Sequence, residues 1–206
     1  IPGAVVWCAE HEGPVRVLPD GCMDLLWLDG TLVVAGPDRS AHVTAGPGLR
    51  RVVGLRFAPG RLPPLLGVPA SALRDVRVEL CDAAVGPTDW APALRPDGEP
   101  SLAQDPLGAF ESQLEPVVAA AVGGNPAEVR ALAASIAEGS SVAAVAAASG
   151  YSTRQVHRRC AEWFGYGPSV LRRILRFDAA VAEHRRGRSS TWIAASHGYA
   201  DASHLH

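Results

Sequence analysis

The segment Val145-Ala-Ala-Ala-Ser-Gly-Tyr151 returns 48 residues later as Ile193-Ala-Ala-Ser-His-Gly-Tyr199. Each copy has a β-branched residue, then small residues, then Gly-Tyr, so one local structure is expected twice. The first copy predicts a short helix from about Val142 to Ser149 that stops at Gly150, because Gly accepts the positive φ that ends a helix without steric cost. Ser152 or Thr153 then offers a hydroxyl N-cap to a second helix running toward Phe164. Helix, Gly-containing tight turn, helix is the helix-turn-helix pattern.

In the helix after Tyr151, Val156, Cys160 and Trp163 can share a buried face. Arg154, His157 and Arg158, at i, i+3 and i+4, share another. A helix that enters the major groove needs such an outer face: Arg presents two parallel donors to guanine O6 and N7, and His donates to or accepts from a base edge. Gln155 and Arg159 flank that face and are placed for phosphates. An Arg-rich helical face is more often simply solvated. What favours DNA is the Ala-rich helix before it, the Gly-Tyr turn, and the recurrence at 193–206. Upstream, Asn125 reads as an N-cap, Pro126 as the first helical residue, and Val129, Leu132, Ala133 and Ile136 as one face of a helix ended by Glu138-Gly139.

Charge agrees with that reading. The formal net charge is -2, yet residues 1–124 hold 9 Arg against 15 acids while 125–206 hold 10 Arg against 6. A basic surface on a mildly acidic chain points to a polyanionic partner for the C-terminal part. All 19 basic residues are Arg, which together with abundant Ala, Gly and Pro reflects a GC-rich bacterial genome.

These residues resemble the AraC/XylS-type transcriptional regulators, whose DNA-binding domain has two helix-turn-helix units joined by a long helix. The resemblance covers 125–206. Gly150-Tyr151-Ser152 with Arg154, Arg158 and Arg159 is similar to the first recognition helix. Phe164-Gly165-Tyr166-Gly167-Pro168, followed by Leu171-Arg172 and Arg176-Phe177, is similar to the family's Gly-x-x-Pro turn into the linker helix. Ile193 to His206 is similar to the second unit, with Gly198-Tyr199-Ala200-Asp201 as turn and cap and Ser203-His204 on its recognition helix. The resemblance implies base contacts by Arg154, His157 and Arg158 and, in the second unit, by Ala202, Ser203 and His206. It implies phosphate contacts by Gln155, Arg159, Arg172 and Arg173. A linker helix from Pro168 to about His184 would be roughly 25 Å long, enough to aim two recognition helices at successive major grooves roughly 34 Å apart. Cys160 stands where the family usually has a large aromatic, and reads as packing rather than redox chemistry. His206 falls about one turn into the second recognition helix, so a tail beyond it, and residues before Ile1, are expected.

The first 80 residues show short β-rich runs at 4–8, 15–18, 22–28, 31–35, 52–58 and 76–80, separated by Gly and Pro. Pro19-Asp20-Gly21 and Asp29-Gly30 read as hairpin turns, and short helical pieces are expected near Leu62–Leu66 and Ser71–Leu73. The fold class is therefore α+β: an N-terminal small β-barrel or sandwich, cupin-like by the resemblance, and a C-terminal all-α domain with two helix-turn-helix units. The domains are expected at 1–90 and 125–206. Between them, 91–124 reads as a linker rich in Pro, Gly and Asp, with a partial helix at 107–122 broken by Pro116. Val17 to Leu25, Leu55 to Gly60 and Leu65 to Pro69 resemble an uncharacterised domain often found before such DNA-binding units.

By the resemblance, the N-terminal part senses a small-molecule effector or mediates dimerisation, which would make a homodimer. Strand alternation puts Cys22, Asp24, Leu26 and Leu28 on one side and Met23, Leu25 and Trp27 on the other. Asp24 and Arg56 each pose a choice between solvent or structural hydrogen bonding and contact with an effector in a pocket. Trp7, Trp27 and His42 are expected in the core.

Two rival readings come from the same residues. Some family members carry an N-terminal alkyl-acceptor cysteine, but the Pro-Cys-His/Arg surroundings that would activate Cys22 are absent. A metal-dependent cupin enzyme wants clustered His and acids, and 1–124 holds only His11 and His42. The four cysteines, Cys8, Cys22, Cys81 and Cys160, show no C-x-x-C spacing and signal neither a zinc cage nor disulfides. With no run of 18 apolar residues and no secretory signal, the expectation is a cytoplasmic DNA-binding regulator, not an enzyme, with no metal, cofactor or membrane partner.

Overall fold

The computed structural model describes residues 3–28, 31–44, 49–83 and 126–205. Its N-terminal part contains β1 (Ala4–Glu12), β2 (Arg16–Val17), β3 (Met23–Leu28), β4 (Thr31–Ala35), β5 (His42–Val43), β6 (Leu49–Phe57) and β7 (Arg77–Glu79). Among the described residues it also holds two short helices, α1 (Pro63–Leu66) and α2 (Leu80–Ala83), and a 3-10 turn at Ala70–Ala72. Five strands form an antiparallel sheet in the order β1, β6, β3, β4, β7, and β2 pairs with β5 as a separate ribbon.

The period-2 alternation of β3 decides what each face of the sheet becomes. Met23 lies opposite Phe57, Leu25 opposite Leu55 and Val34, and Trp27 opposite Val53 and Leu32. These pairs bury one face beneath Leu62, Leu66, Ala70 and Leu73. Leu25, Val34 and Leu55 are fully enclosed, and each such side chain contributes about 1.5–3 kcal/mol through burial. The alternate residues, Asp24, Leu26 and Leu28 of β3 with Trp7 and Arg56, face the opposite way, toward the ribbon.

Pro19-Asp20-Gly21 does not close a hairpin, because β2 pairs with β5, Arg16 facing Val43, rather than with β3. The Asp20 carboxylate instead accepts from the Cys22 amide at 2.8 Å, and Gly21 takes φ 81°. This side-chain turn redirects the chain from the ribbon into the central strand. Asp29-Gly30, the 91–124 linker with its partial helix, the Asn125 cap and His206 lie outside the described residues.

The C-terminal part is helical: α3 (Pro126–Ala137), α4 (Val142–Ser149), α5 (Thr153–Phe164), α6 (Pro168–Arg185), α7 (Ser190–His197) and a 3-10 turn at Ala202–Leu205. Val129, Leu132 and Ile136 of α3 pack with Val145, Val156, Cys160, Phe164, Leu171 and Ile174 into a second core. Farther along, Ala180, Ile193 and Ala194 are buried where α7 packs on α6. Among the described residues no helix is long and apolar enough to cross a membrane.

Candidate nucleic-acid interface and sensor pocket

The first helix-turn-helix unit is assembled by capping. The Ser141 hydroxyl accepts from the Ala144 amide at 3.1 Å and starts α4. Gly150 ends it in the left-handed region, φ 72°. Nothing lies within 4 Å of a Cβ built there, so the backbone conformation, not space, requires glycine. The Tyr151 amide then donates to the Ala146 carbonyl at 3.0 Å, and the Tyr151 hydroxyl bonds Glu128 of α3. Ser152 and Gln155 form a reciprocal capping box that starts α5.

Along α5, Val156, Cys160 and Phe164 are buried while Arg154, His157 and Arg158 are exposed together. Burial pushes the Cys160 thiol up to about 12, which leaves it a packing group. Trp163 is half-buried against the core, in edge contact with Phe164. The Gln155 carbonyl is spent on the cap, leaving its NH2 as donor. Arg159 is half-buried, 5.2 Å from the Trp163 ring and 5.8 Å from that of Tyr151, and bonds Glu162 at 3.1 Å.

The second unit repeats the first atom for atom at its turn. Ser189 caps α7 by accepting from Trp192, Gly198 takes φ 69°, and the Tyr199 amide donates to Ala194 at 2.9 Å. Asp201 accepts from the Ser203 amide at 2.8 Å. Ser203 is exposed and Ala202 half-buried at the start of the final 3-10 turn. Arg176 of α6 locks this turn, with its guanidinium 4.5 Å from the Tyr199 ring and a bond to the Gly198 carbonyl. Sequence reasoning gave Arg176 no role. Arg172 and Arg173 are exposed on α6, the former lying across Gly139, where a Cβ would stand 2.9 Å from its guanidinium.

The two parts of the chain meet at the far end of α5. The face carrying Arg154 and Arg158 continues along the helix to Ala161, Glu162 and Gly165. There a groove of about 640 Å³ separates Arg158, Ala161, Glu162 and Trp163 from Pro63, Pro64, Gly67 and Ser71. The contact beside it is tight. A Cβ at Gly60 would stand 2.5 Å from Val129, and one at Gly165 would stand 2.6 Å from Pro37. Gly21, in the turn before β3, lies against Leu175 and Tyr166. Tyr166 is buried, and burial raises its phenol well above the ordinary value.

Behind that turn, between the open face of the five-stranded sheet and the β2–β5 ribbon, lies a cavity of about 320 Å³. Asp24 sits at its wall, 9% exposed. It accepts from the Trp7 indole N–H at 3.0 Å and from Arg56 Nε at 3.1 Å and Nη2 at 3.3 Å. Arg56 also reaches Asp20 at 3.1 Å. Burial raises the Asp24 carboxyl above its usual range, against the opposing pull of Arg56 and Trp7. Burial works against the Arg56 charge too, but Asp24 and Asp20 outweigh it and hold the guanidinium above its ordinary value. Arg77 and Asp38 form a second bidentate pair at the wall.

Asp24 and Arg56 are thus brought together by direct pairing across β3 and β6. Trp7 and His42, expected in the core, line the cavity instead, while Trp27 is core. The physical reason for Trp7 is its cross-strand partner Gly54, where a Cβ would stand 2.5 Å from the indole. The bare glycine lets the ring lie flat on the sheet. Asp20 and Trp7 were missed as cavity residues, and only the register of β1 on β6 reveals the latter. Burial and Asp20 push the Cys22 thiol far up, the wrong direction for an alkyl-accepting nucleophile. Among the described residues no cluster of His, Cys, Asp or Glu has the make-up of a metal site.

Comparison with known proteins agrees with this division. A family described as a helix-turn-helix domain matches residues 145–206, and a domain of unknown function (DUF6597) matches residues 4–79. The crystal structure of apo ToxT from Vibrio cholerae strain SCE256, a variant with one Lys-to-Ala substitution, is similar with TM-score 0.50 and 12% identity. The match covers 98% of this chain and 91% of that one. At that identity the likeness shows the fold, and it extends over both parts. No curated protein matches the chain. The chain carries an AraC-type helix-turn-helix domain at its C-terminal end behind an N-terminal antiparallel sheet domain, a combination that supports a DNA-binding transcriptional regulator.

Proposed function

We propose that the chain regulates transcription by reading DNA with both helix-turn-helix units, under control of a small molecule in the cavity at Asp24 and Arg56. The observation that carries the DNA reading is the duplicated turn. Gly150 and Gly198 share one backbone conformation, and the bonds Tyr151 to Ala146 and Tyr199 to Ala194 are equivalent. One 18-residue helix, α6, runs between the two units and sets two reading elements at a fixed separation. In this reading Arg154, His157 and Arg158, with Ala202, Ser203 and His206, meet base edges. Gln155, Arg159, Arg172 and Arg173 meet phosphates.

The test is selection of bound DNA from a random pool, followed by insertion of about 5 base pairs between the two selected segments. That insertion turns one segment to the far side of the duplex, so affinity should fall sharply. Binding indifferent to the insertion would reduce the second unit to a packing element. Effector control is supported by the cavity and by Gly21, which joins its wall to Tyr166 and Leu175. A ligand in the cavity should raise the melting temperature through mass action, and the rise should vanish in Asp24→Ala and change in size in Arg56→Ala. If no compound in a broad metabolite screen stabilises the protein, dimerisation becomes the role of this domain.

A further inference from the structure

The cavity is chemically divided. Toward the DNA-binding part, its wall holds Asp20, Asp24, Asp38, Arg56 and Arg77; the rest of the lining includes the aliphatic side chains Val15, Leu26, Leu28 and Val52 together with His11, His42 and Thr44. At the polar end three carboxylates face two guanidiniums. Arg77 is committed to Asp38 by a bidentate pair. Arg56 is left to serve both Asp24 and Asp20, so one negative charge has no cation of its own.

The other polar-end feature has the same sign. Trp7 lies against Gly54 and lines the cavity, and an indole ring attracts cations more strongly than any other side-chain ring. Arg56 already lies 5.8 Å from it. An anionic ligand would have to displace Asp20 from Arg56 and would leave two carboxylates facing it. An ammonium group would instead fit the acceptor lone pairs that Asp20 and Asp24 retain, since each carboxylate oxygen accepts more than one hydrogen bond.

We propose that the cavity takes an organic cation with an apolar body, its ammonium head between Asp20, Asp24 and Trp7 and its body along Leu26, Leu28 and Val52. This rests on the reading of the cavity as the effector site and gives that site a ligand class. At about 320 Å³ the space is at the small end of the roughly 300–1,000 Å³ common for ligand pockets, so a body of one ring fits it.

The experiment titrates the full chain with phenethylamine, 2-phenylethanol and phenylacetate, which share a body and differ in head charge, followed by calorimetry and thermal unfolding. The amine should bind about tenfold or more tighter than the alcohol, with phenylacetate weakest and the amine's affinity falling as salt rises. Asp20→Asn should erase the preference for the amine while the alcohol's affinity stays. Trp7→Leu should weaken the amine more than the alcohol. Should Asp20→Asn fail to fold, the wild-type ranking decides by itself. Phenylacetate or the alcohol binding as tightly as the amine overturns the ligand class and leaves the effector reading standing. If none of the three, nor any compound of a broad metabolite set, shifts unfolding, both ideas fall together.

Discussion

Arg74 donates from its guanidinium to the carbonyl oxygen of Gly165 at 3.1 Å, across 91 residues of sequence. The bond joins the N-terminal domain to Gly165, the residue that ends α5. Around it Gly60 and Gly165 both take positive φ and both leave too little room for a methyl group. Gly60→Ala should therefore destabilise the chain by about 2–4 kcal/mol, combining left-handed strain with overpacking against Val129. Gly150→Ala, at the same kind of φ but in open space, should cost only about 1–2 kcal/mol. Denaturant midpoints of the two variants compare them directly; equal losses would mean that the contact between the parts does not form in solution.

Arg158→Ala should cost about 1–3 kcal/mol in binding and relax base preference at one position. Arg172→Ala should weaken all sequences alike and lower the salt slope by about one phosphate equivalent. Binding curves at several salt concentrations on matched and mismatched DNA separate the two effects. Sequence-blind losses from both would remove Arg158 from the base edge.

The Arg56–Asp24 pair sets a pH dependence. Asp24 is raised from 3.8 by burial even with its partners present, so the folded state holds its proton more tightly than the unfolded state. Stability then falls as pH rises from the unfolded value through the folded one. Arg56→Ala leaves the buried carboxylate with only the Trp7 N–H, which, with the half-exposed guanidinium discounted for solvent screening, should cost about 1–3 kcal/mol at neutral pH and much less in acid, where Asp24 is protonated. Thermal unfolding of wild type and variant between pH 4 and pH 8 measures the widening gap. A deficit that stays constant over that range would show that Arg56 acts through packing and not through charge.

Thiol chemistry gives a fourth outcome. Cys8 and Cys81 are exposed, Cys22 is partly covered and Cys160 is buried. With the Cys160 thiol held up to about 12 and the Cys22 thiol also raised by burial, iodoacetamide at neutral pH should modify Cys8 and Cys81 first. Cys160 should react only after unfolding, as peptide mass mapping would show. Early modification of Cys160 would contradict the burial of the apolar face of α5 in the second core.

The features legible in the sequence are those that act over one or two helical turns. The cap at Ser152, the stops at Gly150 and Gly198, and the buried stripe of α3 each follow from residues within about eight positions of one another. Strand alternation likewise separated Met23, Leu25 and Trp27 from Asp24. What was not legible depends on register or on distant contact. Trp7 is a cavity wall because Gly54 stands opposite it, 47 positions away, and its own strand pattern carries no sign of this. Asp20 looked like a hairpin residue until β2 was found paired with β5, and its link to Arg56 needs three strands in place at once. The short ribbon strand His42–Val43 has no period to read.

The glycines at 60 and 165 carry a consequence for inheritance. A protein whose two parts met only through a tether would exchange them freely, and either part would work when spliced to a foreign neighbour. Here each part contributes one bare position to the other's shape, Gly60 beneath Val129 and Gly165 beneath Pro37. Recombination that replaces the first 83 residues with those of a sibling protein should therefore yield a folded hybrid only where the donor keeps a glycine at the position of Gly60 and a slim residue at that of Pro37. The joint, more than either part, decides which N-terminal domains this helix-turn-helix domain can acquire.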